Sequence, residues 1–108
     1  MSFQTTDPTT GKTEKTFDGF DGAAIRAAIR RAHDTYSDFR NTPVTVRAET
    51  LRNVAERLDA RRDELAALAT KEMGKTIGEA RAEVEKCAWV CDYYAEHAEE
   101  QLREEPID

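Results

Sequence analysis

At 108 residues the chain is expected to hold one small domain at most. Its 22 acidic residues against 16 basic ones leave a formal charge of −6. The excess is gathered at the C-terminal end, where Asp92, Glu96, Glu99, Glu100, Glu104, Glu105 and Asp108 stand against Arg103 alone; such an end repels nucleic acid and anionic membrane, so neither is expected as a partner.

Leu, Ile, Val and Phe together number 18 of the 108 residues, under the roughly one-fifth below which a charged chain is suspected of disorder. The helical patterning that follows argues instead for ordered helices that bury their apolar faces against something outside this chain. No stretch approaches the roughly 18 apolar residues of a membrane span. The N-terminus shows no basic region followed by an apolar run, so export by a signal is not expected. The two cysteines, Cys87 and Cys91, lie four apart on one expected helix, a spacing too constrained for an easy disulfide. A reducing cytoplasm fits that pair.

Residues 3–6 and 12–17 read as two short strands around Asp7-Pro8-Thr9-Thr10-Gly11, since Pro sets φ for a turn and Gly supplies the positive φ that closes it. Asp21 then offers an N-cap to a first helix over 23–40. Its apolar stripe is Ile25, Ala28, Ile29, Ala32, Tyr36 and Phe39. Asn41-Thr42-Pro43 ends it, because the residue before Pro is pushed out of the α region. A second helix is expected from near Val46 with Thr45 as its cap. Leu51, Val54, Ala55 and Leu58 share one face, and Leu65, Leu68, Ala69 and Met73 continue it. The stripe loses its apolar member over Asp59-Ala60-Arg61-Arg62-Asp63, which predicts a kink or short break. Gly74 suits the left-handed position that closes a helix. A third helix is expected over 77–104, burying Ile77, Ala80, Val84, Cys87, Ala88, Cys91, Ala95, Ala98 and Leu102. Trp89, Val90, Tyr93 and Tyr94 widen that face, as in a helix with more than one partner. The fold class is therefore mainly α: an N-terminal β-hairpin followed by three long helices, the second kinked. As a division, 1–20 is the hairpin arm, 21–104 the helical segment and 105–108 a tail, together a single incomplete domain.

Taken residue by residue, no catalytic, cofactor-binding or metal site emerges. Gly11-Lys12-Thr13 and Gly74-Lys75-Thr76 lack the earlier Gly of a phosphate-binding loop, where Thr6 and Ala69 stand. Both triplets read as turns. Cys87, Cys91 and His97 do not reach a zinc ligand set, and His33 lies on a different helix. The two thiols read as small buried side chains on an apolar face rather than nucleophiles, since no activating base or cation is assured there. The carboxylates of the third helix read as a solvated face, with Arg81–Glu85 and Glu83–Lys86 at helix-pairing distances.

Longer pieces say more. Asp7-Pro8-Thr9-Thr10-Gly11-Lys12 resembles the Asn-Pro-Ala-Thr-Gly-Glu turn that opens many aldehyde dehydrogenases, with Asp7 and Lys12 departing from it. The alanine-rich first helix, the Arg47–Leu68 stretch with its Arg-Arg-Asp-Glu-Leu bend, Glu72-Met73-Gly74-Lys75 and Tyr93-Tyr94-Ala95 resemble that family in order and spacing. The run from Glu83 to Trp89 leans toward its succinate-semialdehyde branch. The resemblance implies a part of a larger α/β dehydrogenase fold of roughly three standard domains. It implies NAD or NADP as hydride acceptor for the complete enzyme, none bound by this chain, with a catalytic cysteine, a glutamate and an asparagine-containing oxyanion site. Those motifs are not matched here, and Cys87 and Cys91 do not match the catalytic cysteine. Alone, the chain is therefore not expected to be catalytic. The family's third helix borders the substrate tunnel, which implies Lys86 and Trp89 near an entrance, with Lys86 attracting a carboxylate. The implied partner is the remainder of the dehydrogenase, in relatives that are homo-oligomeric. The alternative is a non-catalytic helical protein-interaction module, or a complementing subunit, that meets a covering protein surface.

Overall fold

The Thr-rich flanks of the Asp7–Gly11 turn form an antiparallel hairpin, β1 (Ser2–Thr6) and β2 (Thr13–Asp18), in the computed structural model, which describes residues 1–107. Ser2 pairs with Asp18 and Phe3 with Phe17, and the register shifts between Thr5 and Thr6. At the turn Asp7 Oδ1 accepts from the Thr9 N–H at 2.8 Å, and Gly11, at φ 69°, donates to the Asp7 carbonyl at 2.8 Å. An Asx-type turn of this kind satisfies backbone donors that have no strand partner. The two backbone bonds from Thr9 and Thr10 hold the Asp7 carboxyl below its ordinary range.

The chain divides into two compact units, one of residues 1–42 with 71–74, the other of 43–70 with the residues from 75 onward. In the first, the hairpin leads to α1 (Gly22–Phe39), whose N-cap Asp21 accepts from the Ala24 N–H at 2.7 Å. The expected stripe of α1 is present, yet no residue of the helix is buried. Ile25, Ile29, Tyr36 and Phe39 all lie exposed. Lys71 binds Glu14 of β2 at 2.6 Å, and that carboxylate raises the lysine pKa.

The second unit is built on α2 (Val44–Ala60) and α4 (Ile77–Gln101), with α3 (Arg62–Met73) running between them in sequence. The expected kink in the second helix is a complete break at Arg61. Its N–H closes α2 on the Arg57 and Asp59 carbonyls, and its own carbonyl starts α3 by accepting from Leu65 at 2.9 Å. Arg57 sits in the last turn of α2, while Asp63 and Glu64 sit in the first turn of α3. Those three suit the helix ends they occupy, whereas Asp59 at the end of α2 and Arg62 at the start of α3 do not, so charge alone does not account for the break. Thr45 is not the cap of α2. The helix picks up directly after Pro43, whose carbonyl accepts from both Val46 and Arg47 at 3.1 Å.

α2 packs along α4, and the buried residues are small: Ala48 and Ala55 on α2, and Ala80, Val84, Ala88 and Ala95 on α4. Alanines let two helices approach closely, and the Arg52 guanidinium then donates to the Ala95 carbonyl at 3.4 Å. The larger members of the expected faces are pushed outward. Leu68, Met73, Ile77 and Leu102 are exposed, and Ala66 is the buried residue of α3. The expected pairs Arg81–Glu85 and Glu83–Lys86 do not form. Arg81 reaches back to Asp63 at 2.9 Å, Glu85 meets Arg62 at 2.9 Å, and Glu83 takes Lys75. Packing places α3 charges within reach, and a partner on another element competes successfully with one on the same helix. α4 ends at Gln101 rather than at 104, since its last turn has no basic residue to meet the terminal carbonyls. Among the described residues no helix is long and apolar enough to cross a membrane.

Candidate functional site

α4 carries the residues expected near a substrate entrance. It begins cleanly because Thr76 caps it: the hydroxyl accepts from the Glu79 N–H at 3.3 Å and donates to the Glu79 carboxylate at 3.0 Å. The cap and the alanine face toward α2 fix which side of the helix is left over. On that side Lys86, Trp89, Tyr93 and His97 follow one another at helical spacing. The Lys86 ammonium lies over the Trp89 ring, 5.7 Å from its centroid. Trp89 and Tyr93 are tilted at 5.6 Å, and Tyr93 stacks on His97 at 4.3 Å. Tyr94 meets Tyr93 edge-on at 5.4 Å. The His97 ring nitrogen Nδ1 is 2.7 Å from the Tyr93 carbonyl, which fixes the outer end of the stack.

The two residues singled out from sequence thus form a cation–π pair. What the spacing did not suggest is that they open a ladder ending at His97. Trp89 is 59% exposed and Tyr93 37%, so the ladder presents its edge to solvent. An ammonium held over an indole keeps its charge close to an apolar surface. The pair therefore presents a positive charge beside an apolar ring.

The remaining polar candidates resolve into structural roles. Cys87, expected on the buried face, is exposed, because the α4 positions that turn inward are Ala80, Val84, Ala88 and Ala95; Cys91 is half-buried. Both thiols are free. Lys75 binds Glu83, Thr76 caps α4, and Gly74 takes φ 71°, so the second Gly-Lys-Thr triplet is a helix-to-helix turn. Among the described residues no group of three His, Cys, Asp or Glu is arranged to hold a metal ion.

A second feature carries no sequence signal. The first turns of α2 and the last turns of α4 enclose an open groove of about 340 Å³, lined by Val44, Leu51, Tyr94, Ala98 and Leu102 with Arg47. The Arg47 Nε is shielded from solvent and has no hydrogen-bond acceptor among the described residues. Arg47 is one of 11 arginines, and nothing in its neighbours distinguishes it.

Comparison with known proteins gives this geometry a context. The aldehyde dehydrogenase family matches over residues 1–108. A probable NADP(+) succinate-semialdehyde dehydrogenase of Synechocystis sp. is 45% identical over 107 residues, which is 99% of this chain and 24% of the relative. The NADP(+) succinate-semialdehyde dehydrogenase 1 of Mycobacterium tuberculosis is 44% identical over 108 residues, again 24% of its length. Among solved structures, the succinic semialdehyde dehydrogenase of Streptococcus pyogenes in complex with NADP+ superposes with a TM-score of 0.92 at 36% identity, covering 98% of this chain and 24% of that one. The chain spans about a quarter of the length of the relatives it matches.

Proposed function

From the premise that the chain belongs to the aldehyde dehydrogenase family, we propose that it is the N-terminal helical part of a cytoplasmic, NADP-dependent dehydrogenase that oxidises succinate semialdehyde to the dicarboxylate. The observation that carries this reading is the 44–45% identity, over essentially the whole chain, to relatives bearing that activity in their names. NADP is favoured over NAD for the complete enzyme because those relatives, and the Streptococcus structure, are named with it. The cofactor would accept hydride from the substrate. Neither glycine-lysine-threonine turn of this chain is shaped to hold its phosphates, so it would be bound by the rest of the protein. The nucleophile and the base likewise fall to the remainder, and the chain by itself is an incomplete domain without dehydrogenase activity.

Within the complete enzyme the Lys86–Trp89 platform is the contribution of this segment to substrate capture. Succinate semialdehyde bears a carboxylate at the end opposite the aldehyde, and the Lys86 ammonium supplies the matching charge beside an apolar ring. Uniform binding of this kind acts on KM and leaves kcat nearly unchanged. A Lys86→Ala enzyme is expected to show KM for succinate semialdehyde raised about three- to tenfold, in line with an exposed charge pair worth ~1 kcal/mol; an unaltered KM removes the residue from the reading.

The wider proposal is tested by the intact mass of the native product, captured from its own cells with an antibody to α2. A species of about 50 kDa, the size of a chain of about three domains, is expected. A lone 12.2 kDa species would leave only a complementing subunit or a protein-interaction module. The exposed face of α1 makes that second reading concrete, because it requires cover from some other surface.

A further inference from the structure

We propose that the groove between the start of α2 and the end of α4 seats a segment from the remaining three-quarters of the dehydrogenase, entering with an apolar side chain next to a carboxylate. This rests on the reading of the chain as one part of a longer enzyme. Two properties of the groove define its occupant. Val44, Leu51, Ala98 and Leu102 give it an apolar wall, which calls for an apolar side chain. Set in that wall, the Arg47 Nε–H is cut off from solvent with no acceptor among the described residues. A shielded donor left unmet is unfavourable, and a guanidinium is best met by a carboxylate. Arg47 forms no ion pair with any described residue, although Arg61, Arg62 and Arg81 of the same unit all do. The acid that completes it is therefore not among residues 1–107. The relatives supply such material, since this chain covers 24% of their length.

The occupant differs in kind from the substrate assigned to the Lys86–Trp89 platform. A free dicarboxylate has no apolar side chain to fill a groove of about 340 Å³, whereas a polypeptide brings both groups in fixed register.

The test uses the whole 108-residue chain, co-expressed with the affinity-tagged complementary three-quarters of the Synechocystis relative. The wild-type chain is expected to be recovered with the tagged partner. Arg47→Leu and Leu102→Asp are expected to lower that recovery about tenfold or more, with Arg47→Lys falling between. Leu102 is 62% exposed but caps the C-terminal end of α4, so far-UV circular dichroism of each free variant is used to exclude loss of the helix as the cause. Recovery of wild type and both variants in equal amount would overturn the groove inference while leaving the functional reading in place. No recovery of the wild-type chain would overturn the groove inference too, while the functional reading stands or falls on the mass of the native product. If the free chain instead forms a dimer that Leu102→Asp disrupts, the occupant is a second copy and the proposal is wrong.

Discussion

Two glycines of the first unit illustrate how the cost of one methyl group depends on its surroundings. Gly11 and Gly74 both take positive φ, 69° and 71°. A Cβ at Gly11 would meet nothing within 4 Å, whereas one at Gly74 would lie 3.1 Å from Pro8 Cγ. Gly11→Ala is expected to cost only the left-handed strain of roughly 1 kcal/mol. Gly74→Ala adds pressure on a proline ring that cannot rotate away, so its loss should exceed that of Gly11→Ala by about 1 kcal/mol. Urea denaturation of the two variants compares them directly, and equal midpoints would contradict the contact with Pro8. Acid behaviour is also decided by single side chains. Hydrogen bonds from Arg81 and then Arg62 hold the Asp63 carboxyl below its ordinary 3.8, and Arg61 holds Glu64 below 4.5. A depressed folded-state pKa stabilises above the unfolded value and is lost as pH falls through the folded one. The contribution of Asp63 is thus complete above about pH 4 and disappears below it. These groups are exposed, so the effect is small and salt-sensitive. An Arg81→Met chain should show a flatter fall of melting temperature between pH 4 and pH 2 than wild type; identical slopes would deny the ion pair its role.

At the scale of elements, capping explains where helices begin better than apolar stripes do. Thr76 satisfies the Glu79 N–H and is bonded in return by its carboxylate, a reciprocal cap of the kind worth ~1 kcal/mol. Thr76→Ala should lower the melting temperature of the unit containing α4 by about 4–8 °C, and Thr76→Ser should restore most of it. A Thr76→Ala chain that melts with wild type would mean that α4 is held by packing alone. Much of this architecture was legible beforehand. The hairpin, the cap at Asp21, the left-handed Gly74 and the start of α4 all follow from local chemistry that side chains carry with them. The break at Arg61 was legible as a weakness but not as a full stop, because two helix ends back to back depend on carbonyls that sequence does not display. Burial was the least legible quantity. Leu68, Cys87 and Leu102 sit on apolar stripes yet face outward, since a stripe fixes a helix face and not the partner that covers it. For the site, Lys86 and Trp89 came from family resemblance, and their contact was not foreseen. The groove around Arg47 joins residues about 50 positions apart, 47 with 94 and beyond, and no local pattern encodes that.

The same distinction between a stripe and its cover governs the whole molecule. Among the described residues every buried one is alanine apart from Val84, and no large side chain is fully buried. Burial of a methylene is worth ~0.8 kcal/mol, while ordering each residue costs about 1–2 kcal/mol in backbone freedom. A core of alanines offsets only part of that over 108 residues, which leaves the free chain marginal. Helix α1 is the clearest case: 18 residues long with none buried, it sits only just above the roughly 12–15 residues at which an isolated helix is marginal in water. Large apolar side chains at the surface, Ile25, Ile29, Tyr36 and Phe39 on α1 and Tyr94 on α4, are what a covering protein surface would take up. The free chain is therefore expected to bind ANS, and its α1 amides should exchange near the rate of an unstructured peptide. The α2 and α4 amides, which share packing and the Arg52 bond to Ala95, should be slower. On joining the rest of a dehydrogenase, ANS fluorescence should fall and α1 should gain protection. Full protection of α1 in the free chain, with a sharp cooperative melt and no ANS signal, would mean that the segment is stable without cover, and the case for an incomplete domain would fail with it.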